Sequence, residues 1–239
     1  MLIGMRNAMM AGGGLSAKSY VQDGLVAMWD GIENAGWGVH DPNATVWKDL
    51  VGDCDLTINH GSWDAKSFVC DTGSTCGAYS ANAMSPVVAE MVFRVNSSSD
   101  TATYKECHVI DLNSVKMLNV ILNDTTSLGV GYSFFTATSP RQYVVAGRSF
   151  AATPVSISVN YTSSTYRLNS VAQTVGTQSA TVSVAGRVEI NGRSNVAANP
   201  KCWTGNFNTL RLYSRALTAA EIAANYAVDK ARFNLPDAM

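Results

Sequence analysis

The stretch Trp203-Thr-Gly-Asn-Phe-Asn-Thr-Leu-Arg-Leu-Tyr-Ser-Arg-Ala-Leu-Thr-Ala-Ala-Glu-Ile222 contains the two features that decide the fold. Its first half alternates between apolar and polar residues, as a strand with one face on a core requires. Leu210 and Leu212 are expected to face that core, and Arg211 to face out. We therefore predict a strand over Phe207–Ser214 that leads directly into the second half.

The second half begins a helix. Thr218 and Glu221 have the spacing of a capping box, in which each side chain bonds the backbone N–H of the other. We expect the helix to lie along the sandwich and to cover part of a sheet edge. Its apolar stripe is predicted to consist of Ile222, Tyr226 and Phe233. Asn225 and Lys230 are predicted to face solvent.

Period-two alternation dominates the centre of the chain. In Val155–Tyr161 the residues Ser156 and Ser158 are expected in water, and in Val87–Val95 the residue Glu90 lies on the face opposite the core. Short Gly-, Asn-, Asp- and Pro-containing turns separate such segments, which favours an all-β jelly-roll β-sandwich of two antiparallel sheets. Further predicted strands are Leu25–Asp30, Asp55–Ile58, Ser67–Asp71, Val115–Leu122, Leu128–Phe135, Arg141–Ala146, Tyr166–Asn169 and Arg187–Asn191.

The charge balance excludes two classes of partner. The 239 residues include 17 Lys and Arg against 18 Asp and Glu, a formal net charge of −1. Binding to nucleic acid needs a basic excess or patch, and attachment to an anionic membrane surface needs clustered Lys and Arg. We therefore expect no nucleic-acid partner and no membrane partner.

One domain, 21–239, is predicted to follow a flexible N-terminal tail, 1–20. The tail lacks the basic start and the apolar run of a signal peptide, so we expect the protein to be made and assembled in a cytoplasm. Cys70 and Cys76 would close a small loop under oxidising conditions. The alternative, which we favour, is that all five cysteines are free.

The start of the domain resembles a known family. Gln22-Asp-Gly-Leu-Val-Ala-Met-Trp-Asp30, Val46-Trp-Lys-Asp-Leu50 and Asp55-Leu-Thr-Ile58 are similar to the opening strands of laminin-G-like, concanavalin A-like jelly rolls. In that family a Gly-Leu-Val-Ala-x-Trp/Tyr strand precedes a Trp-x-Asp-Leu strand. Trp29 and Trp47 lie in these predicted strands, which indicates that they belong to the core.

The end of the domain resembles the same family more closely. The stretch 203–222 is similar to its closing strand and helix start, and Glu189-Ile-Asn-Gly-Arg193 to its Ile-Gly-Gly-Arg strand end. Met5–Gly13 and Tyr226–Phe233 further resemble such proteins encoded by phages and prophages of gut bacteria. This second resemblance implies a virion protein whose tail docks to the particle or mediates oligomerisation.

No catalytic arrangement is evident. Glucanases of this fold that retain configuration use a Glu-x-Asp-x-Glu strand, which brings two carboxylates to about 5 Å. The chain has no such triplet, and we interpret the neighbours Asp30 and Glu33 as an accidental pair. Cys107 and His108 are adjacent, so a strand would direct them to opposite faces. The protein is therefore predicted not to be an enzyme.

A glycan site is predicted in the loops at the rim of the sandwich. Sugars offer apolar C–H faces and many hydroxyl groups, so they are bound by aromatic platforms beside polar side chains. The candidates in predicted loops are Trp37, His40, Asp41, Trp63 and Tyr79. The resemblance also implies a calcium ion at the rim, with Asp53 and Asp55 as ligands; the alternative, which we favour, is that these residues form turns.

The expected function is non-enzymatic. The protein is predicted to be a phage fibre or tail-associated appendage that is oligomeric, contacts other virion proteins through its tail and attaches to host-surface glycans with avidity from many copies. The alternatives are a carbohydrate-binding or adhesion module at a bacterial cell surface, and a purely structural virion knob. A glycan hydrolase is the third class of function.

Overall fold

Over the residues that it describes, the computed structural model gives sixteen strands and one α-helix. It describes residues 15–70, 77–95, 105–112, 116–122, 129–134, 146–147, 154–160, 162–163, 165–173, 185–190 and 204–237. The strands are β1 Leu25–Asp30, β2 Val46–Trp47, β3 Leu56–Ile58, β4 Ser62–Trp63, β5 Phe68–Cys70, β6 Ala78–Met84, β7 Val88–Val95, β8 Lys105–Leu112, β9 Lys116–Leu122, β10 Gly129–Phe134, β11 Ala146–Gly147, β12 Val155–Asn160, β13 Thr165–Leu168, β14 Val171–Gln173, β15 Gly186–Ile190 and β16 Gly205–Tyr213. The helix is α1 Ala219–Phe233.

The strands form two antiparallel sheets, which confirms the predicted all-β sandwich with one C-terminal helix. The first sheet has the order β14-β13-β12-β7-β16-β5-β4, with β1 also paired to β16. The second sheet has the order β11-β10-β9-β8-β15-β6-β3-β2. Strand β16, the predicted Phe207–Ser214, lies between β7 and β1 near the middle of the first sheet.

Most predicted strands are present within a residue or two. Leu25–Asp30 has the predicted bounds, whereas only Ala146 of the predicted Arg141–Ala146 lies among the described residues. Strands β6 and β8 had no prediction. The β6 sequence Ala-Tyr-Ser-Ala-Asn-Ala-Met has small and polar residues on both faces, and pairing with β3 and β15 determines its conformation.

An apolar core fills the space between the sheets. Trp29, Trp47, Phe68, Phe93 and Phe207 are all fully buried in it, as predicted for the first two. Each buried indole N–H has a backbone acceptor: Trp29 Nε1 donates to Cys54 O at 3.0 Å, and Trp47 Nε1 donates to Asp30 O at 3.0 Å. The side of the first sheet that lines this core is called its inner face.

The helix covers the opposite, outer face of the first sheet and not its edge. The predicted capping box is present: Thr218 Oγ1 accepts from the Glu221 amide at 3.2 Å, and Glu221 Oε2 accepts from the Thr218 amide at 2.8 Å. The helix then crosses β12, β7, β16 and β1, with side-chain contacts to each. It ends at Asn234, whose left-handed conformation (φ 58°) stops the helix.

The predictions of solvent exposure for Arg211, Asn225, Ser156 and Ser158 were wrong for this reason. Arg211 and Asn225 were expected in solvent but are buried, with 0% and 1% of their surfaces exposed. Ser156, Ser158 and Glu90 are buried on the same outer face. Alternation correctly separates the two faces of a strand, but it does not distinguish a face in water from a face beneath a polar helix surface.

Part of the predicted tail packs against the outer face. Ser16 caps a single 3₁₀ turn, Ala17–Ser19, and both Ala17 and Tyr20 are buried. The Val21 amide donates to Asn225 Oδ1 on the helix at 2.8 Å. The remaining tail residues, 1–14, lie outside the described part of the chain.

Cys54 and Cys70 are both buried, and burial raises the pKa of the Cys54 thiol. Cys76 lies outside the described residues, so the Cys70–Cys76 alternative remains a prediction. Among the residues that the structure describes, no helix combines the length and the apolar character needed to span a membrane.

Candidate functional site

Five polar side chains meet between the helix and the outer face, and we call them the outer-face cluster: Glu90, Ser156, Arg211, Asn225 and Asp229. The Arg211 guanidinium makes two parallel hydrogen bonds to Asp229, of 2.7 and 2.8 Å. Asn225 Nδ2 donates to Glu90 Oε2 at 2.6 Å, and the Ser156 hydroxyl donates to Asp229 Oδ2 at 2.9 Å. The charges are thus paired without access to solvent.

The Tyr20 ring covers this cluster. It lies 4.0 Å from the guanidinium carbon of Arg211, measured from the ring centroid. Burial raises the pKa of Glu90 and that of Tyr20. Because no member of the cluster reaches the surface, these groups hold the helix and the N-terminal segment on the sheet, and a substrate has no route to them.

A second buried group, the Arg232 cluster, consists of Asp30, Glu33 and Arg232. Arg232 Nη2 donates to Asp30 Oδ1 at 2.9 Å and to Glu33 Oε1 at 3.2 Å. Burial raises the pKa of Asp30 to about 6, although Arg232 opposes that shift. The neighbours Asp30 and Glu33 are therefore a structural pair that joins the start of the domain to the end of the helix.

Glu33 connects the buried Arg232 cluster to two segments nearer the surface. Its Oε1 accepts from the Ala17 amide at 2.7 Å, and its Oε2 accepts from the Gly38 amide at 2.9 Å. Glu33 itself is 4% exposed. One buried carboxylate therefore fixes the N-terminal segment and a surface turn in the same place.

That turn is the Trp37 hairpin, Gly36–Val39. Gly36 and Val39 form an isolated antiparallel bridge, and the Val39 amide donates to Gly36 O at 2.9 Å. Gly38 has φ +70°, a conformation that favours glycine in a tight turn. The hairpin exposes 38% of Trp37 and 51% of Val39, so two apolar side chains project from a rigid turn.

His40 and Asp41 support the hairpin. The Asp41 amide and carbonyl bond the side-chain amide of Asn34, each at 2.8 Å. Asp41 Oδ1 accepts from the Asn43 amide at 2.8 Å, and His40 Nδ1 is 3.0 Å from Gly31 O. Both residues lie beside Trp37 in the chain, but their described bonds are directed to the loop backbone and its supports.

Lys18 reaches the hairpin from the N-terminal segment. Its Nζ lies 5.2 Å from the centroid of the Trp37 ring, and the Lys18 side chain is exposed. Sequence analysis missed Lys18, because the contact joins residues nineteen positions apart through Glu33 and no local pattern indicates it.

Trp63 and Tyr79 lie in strands and not in the predicted loops. Trp63 packs edge-on against Trp47 with ring centroids 5.0 Å apart, and its Nε1 donates to Ala44 O at 2.9 Å. Tyr79, in β6, lies beneath Arg187, whose guanidinium carbon is 5.1 Å from the ring centroid. Their described contacts are thus with the sandwich itself.

Of the two predicted calcium ligands, Asp55 is engaged in local contacts. Asp55 Oδ2 accepts from Lys48 Nζ at 2.6 Å, and Asp55 Oδ1 accepts from the Asp49 amide at 2.9 Å. Asp53 is exposed. Within the described ranges, no three His, Cys, Asp or Glu side chains are grouped as metal ligands would be. The structure thus gives Asp55 a lysine partner, and the calcium site stays a prediction.

A groove of about 190 Å³ lies between the first turn of α1 and strands β12–β14. Leu217, Ile222 and Ala172 give it apolar walls, and Arg167 and Gln173 add polar groups. Arg167 Nη1 donates to Ser170 O at 2.9 Å. The groove had no sequence prediction, since it forms only when the helix lies across the sheet.

Comparison with known proteins shows the fold. No protein-family model matches the chain, and no curated protein sequence matches it significantly. Trypanosoma rangeli sialidase is 13% identical, with a TM-score of 0.60 over 88% of this chain and 33% of that chain. The HCR/D W1238A mutant is 9% identical, with a TM-score of 0.56 over 86% of this chain and 51% of that chain. The chain thus has a concanavalin A-like β-sandwich fold and spans about a third of the sialidase chain.

Proposed function

We propose that this protein is a non-enzymatic glycan-binding domain whose contact surface is the Trp37 hairpin. The observation that supports this most directly is the exposed indole of Trp37 on a turn held by Glu33 and Asn34. An indole at a fixed position binds the apolar face of a sugar ring with little loss of conformational entropy. Binding of this kind is weak for one site and increases with the number of copies.

The absence of enzymatic activity is part of the proposal. Glu33, whose carboxylate contacts the hairpin, and its neighbour Asp30 are buried and bonded to Arg232. Hydrolysis of a glycosidic bond needs two carboxyl groups that reach the substrate from opposite sides. The alternative is a glycan hydrolase, which stays open because part of a sialidase has the same fold.

The setting we propose is a phage virion, where the protein is an oligomeric fibre or tail-associated appendage and its N-terminal segment docks to other virion proteins. This part rests on the sequence resemblance of Met5–Gly13 and Tyr226–Phe233. Mass spectrometry and antibody labelling of purified virions test it. Labelling of bacterial cells alone would instead support a carbohydrate-binding module at the cell surface.

A glycan array of the full chain tests the binding function. Trp37→Ala is expected to lower binding at least tenfold and to leave the melting temperature unchanged, because the side chain is partly in solvent. Val51→Ala is the matched control, since Val51 is an exposed apolar residue (40%) outside the hairpin.

Three results would contradict the proposal. A well-folded chain that binds no glycan would remove the glycan-binding function and leave the structural knob. Binding that survives Trp37→Ala and is lost in Gln173→Ala would move the site to the groove beside α1. Release of free sugar from a bound glycan would show an enzyme.

A further inference from the structure

We propose that the ligand of the Trp37 hairpin is an acidic glycan, and that Lys18 binds its carboxylate. This inference rests on the glycan-binding function proposed above and adds the chemical class of the sugar. It starts from the side-chain ammonium of Lys18, which lies 5.2 Å from the centroid of the Trp37 ring.

Lys18 is an exposed cation that lacks an anionic partner in the described part of the chain. The ion pairs among the described residues involve other cations, namely Lys48, Lys230, Arg211, Arg215 and Arg232. The Lys18 backbone amide bonds Ser16 Oγ at 3.3 Å, and its ammonium contacts the indole. The charge is thus held at an aromatic surface and is available for an external anion.

The carboxylates near Lys18 are engaged elsewhere. Both oxygens of Glu33 accept backbone N–H groups, and Oε1 also accepts from Arg232. Asp41 Oδ1 accepts from the Asn43 amide. Glu33 thus makes its hydrogen bonds inside the protein, with two backbone amides and Arg232, and an anion on the ligand is the partner that we assign to Lys18.

The buried Glu33 carboxylate positions the two segments that carry Lys18 and Trp37. Glu33 holds Ala17 with one oxygen and Gly38 with the other, at 2.7 and 2.9 Å. Lys18 follows Ala17 and Trp37 precedes Gly38, so the two contact residues flank the two bonded amides. This arrangement places a cation and an aromatic surface at a set separation before the ligand arrives.

That combination matches a sugar with a ring carboxylate. In such a sugar the apolar C–H face and the carboxylate belong to one small ring, so both can be bound at once by Trp37 and Lys18. A charge-assisted hydrogen bond is about twice as strong as a neutral one. A neutral sugar would pack against the same Trp37 indole, but it would offer no carboxylate to the Lys18 ammonium.

The test is an array on which oligosaccharides containing uronic or sialic acids are printed beside their carboxyl-reduced counterparts. The full chain is expected to bind the acidic member about five- to tenfold more tightly, with the preference falling as salt rises. Lys18→Gln should abolish the preference and retain binding of the reduced member, whereas Lys18→Arg should restore it. Lys230→Gln, an exposed lysine on the helix that pairs with Asp237, is the charge-matched control.

The outcomes separate the two proposals. Equal binding of both members, a preference that survives Lys18→Gln, or an equal loss in Lys230→Gln would overturn the role of Lys18, and the glycan-binding function would stand. Failure to bind any printed glycan would overturn both. Loss of all binding in Trp37→Ala, together with loss of only the acidic preference in Lys18→Gln, would support both.

Discussion

The two faces of the first sheet are buried by opposite means. The inner face meets the second sheet through aliphatic and aromatic side chains such as Leu210, Phe93 and Phe207. The outer face meets the helix through the ion pair of Arg211 with Asp229 and the bond of Asn225 with Glu90. Strand β16 contributes to both, with Leu210 and Leu212 inward and Arg211 outward.

The apolar inner face and the charged outer face stabilise the protein in different ways. Apolar burial on the inner face gives free energy in proportion to area and tolerates substitutions that conserve volume. Buried charges on the outer face gain little net free energy, because desolvation opposes their attraction, but removal of one partner leaves an uncompensated charge. We therefore infer that the outer face determines where the helix and the N-terminal segment dock more than how stable the protein is.

The largest expected effect comes from removing one partner on the outer face. Asp229→Ala leaves the fully buried Arg211 with Glu90 as its remaining carboxylate, at 3.3 Å, beneath the Tyr20 ring. We expect the free energy of unfolding to fall by about 4 kcal/mol, measured by urea denaturation. Asp237→Ala, which breaks the exposed pair with Lys230, is the control and should leave the free energy of unfolding almost unchanged.

Replacing the charges of Glu90, Arg211 and Asp229 together separates the cost of an unpaired charge from the contribution of the ion pairs. The triple variant Glu90→Leu, Arg211→Met and Asp229→Leu should be more stable than Asp229→Ala, because it leaves no unpaired charge. Ser156 and Asn225 each lose one acceptor, so its stability should stay below that of the wild type. A triple variant that is less stable than Asp229→Ala would show that the charges themselves stabilise the fold.

On the inner face the expected effect is slightly smaller. Leu210→Ala creates a cavity at a fully buried site in the centre of the sheet. We expect a loss of about 3 kcal/mol in the free energy of unfolding, again from urea denaturation. Leu210→Met should cost less than about 1.5 kcal/mol, and an equally large loss for this variant would contradict the view that inner-face packing is tolerant.

The Arg232 cluster predicts a dependence on pH. Burial raises the pKa of Asp30 from 3.8 to about 6, so between these values the folded protein holds a proton that the unfolded chain has lost. The stability contributed by Asp30 is therefore present below about pH 4 and falls by about 2 to 3 kcal/mol as the pH rises to 6. The measurement is the difference in unfolding free energy between the wild type and Asp30→Asn at pH 4, 5, 6 and 7. A constant difference would contradict the prediction.

The smallest expected effect concerns the start of the helix. Thr218→Ala removes the acceptor for the Glu221 amide, while Glu221 retains its pair with Arg215. We expect a loss of about 1 kcal/mol, seen as a lower melting temperature. Thr218→Ser retains the hydroxyl oxygen and should restore most of it, so equal losses in both variants would assign the effect to the methyl group.

Local patterns in the sequence predicted the elements, and long-range contacts decided the rest. The capping box and strand β1 depend on neighbours within a few residues, so Thr218, Glu221 and Leu25–Asp30 were predicted correctly. The burial of Arg211 depends on Asp229 in the helix above it, and no pattern in β16 alone indicates that the helix covers this face.

The residues of the candidate site likewise include some that local patterns indicate and others that depend on long-range contacts. Trp37 was named as a candidate because it lies in a predicted loop, and the tight turn at Gly38 exposes it. Trp63 was predicted in a loop but lies in β4, because Trp47 and Phe68 provide aromatic contacts from distant parts of the chain. The partnership of Lys18 with Trp37 could be found only after Glu33 was seen to bond both segments.

The pairing of β1 with β16 has a consequence for synthesis on the ribosome. Leu25 pairs with Tyr213, and the Val21 amide bonds Asn225, a residue 204 positions later in the chain. At a synthesis rate of about 5 to 20 residues per second, the N-terminal strand waits roughly 10 to 40 s for its partner. During that interval Met28 and Trp29 lack their strand partners Arg211 and Leu210, so β1 cannot complete its place in the sheet until almost the whole chain has been made.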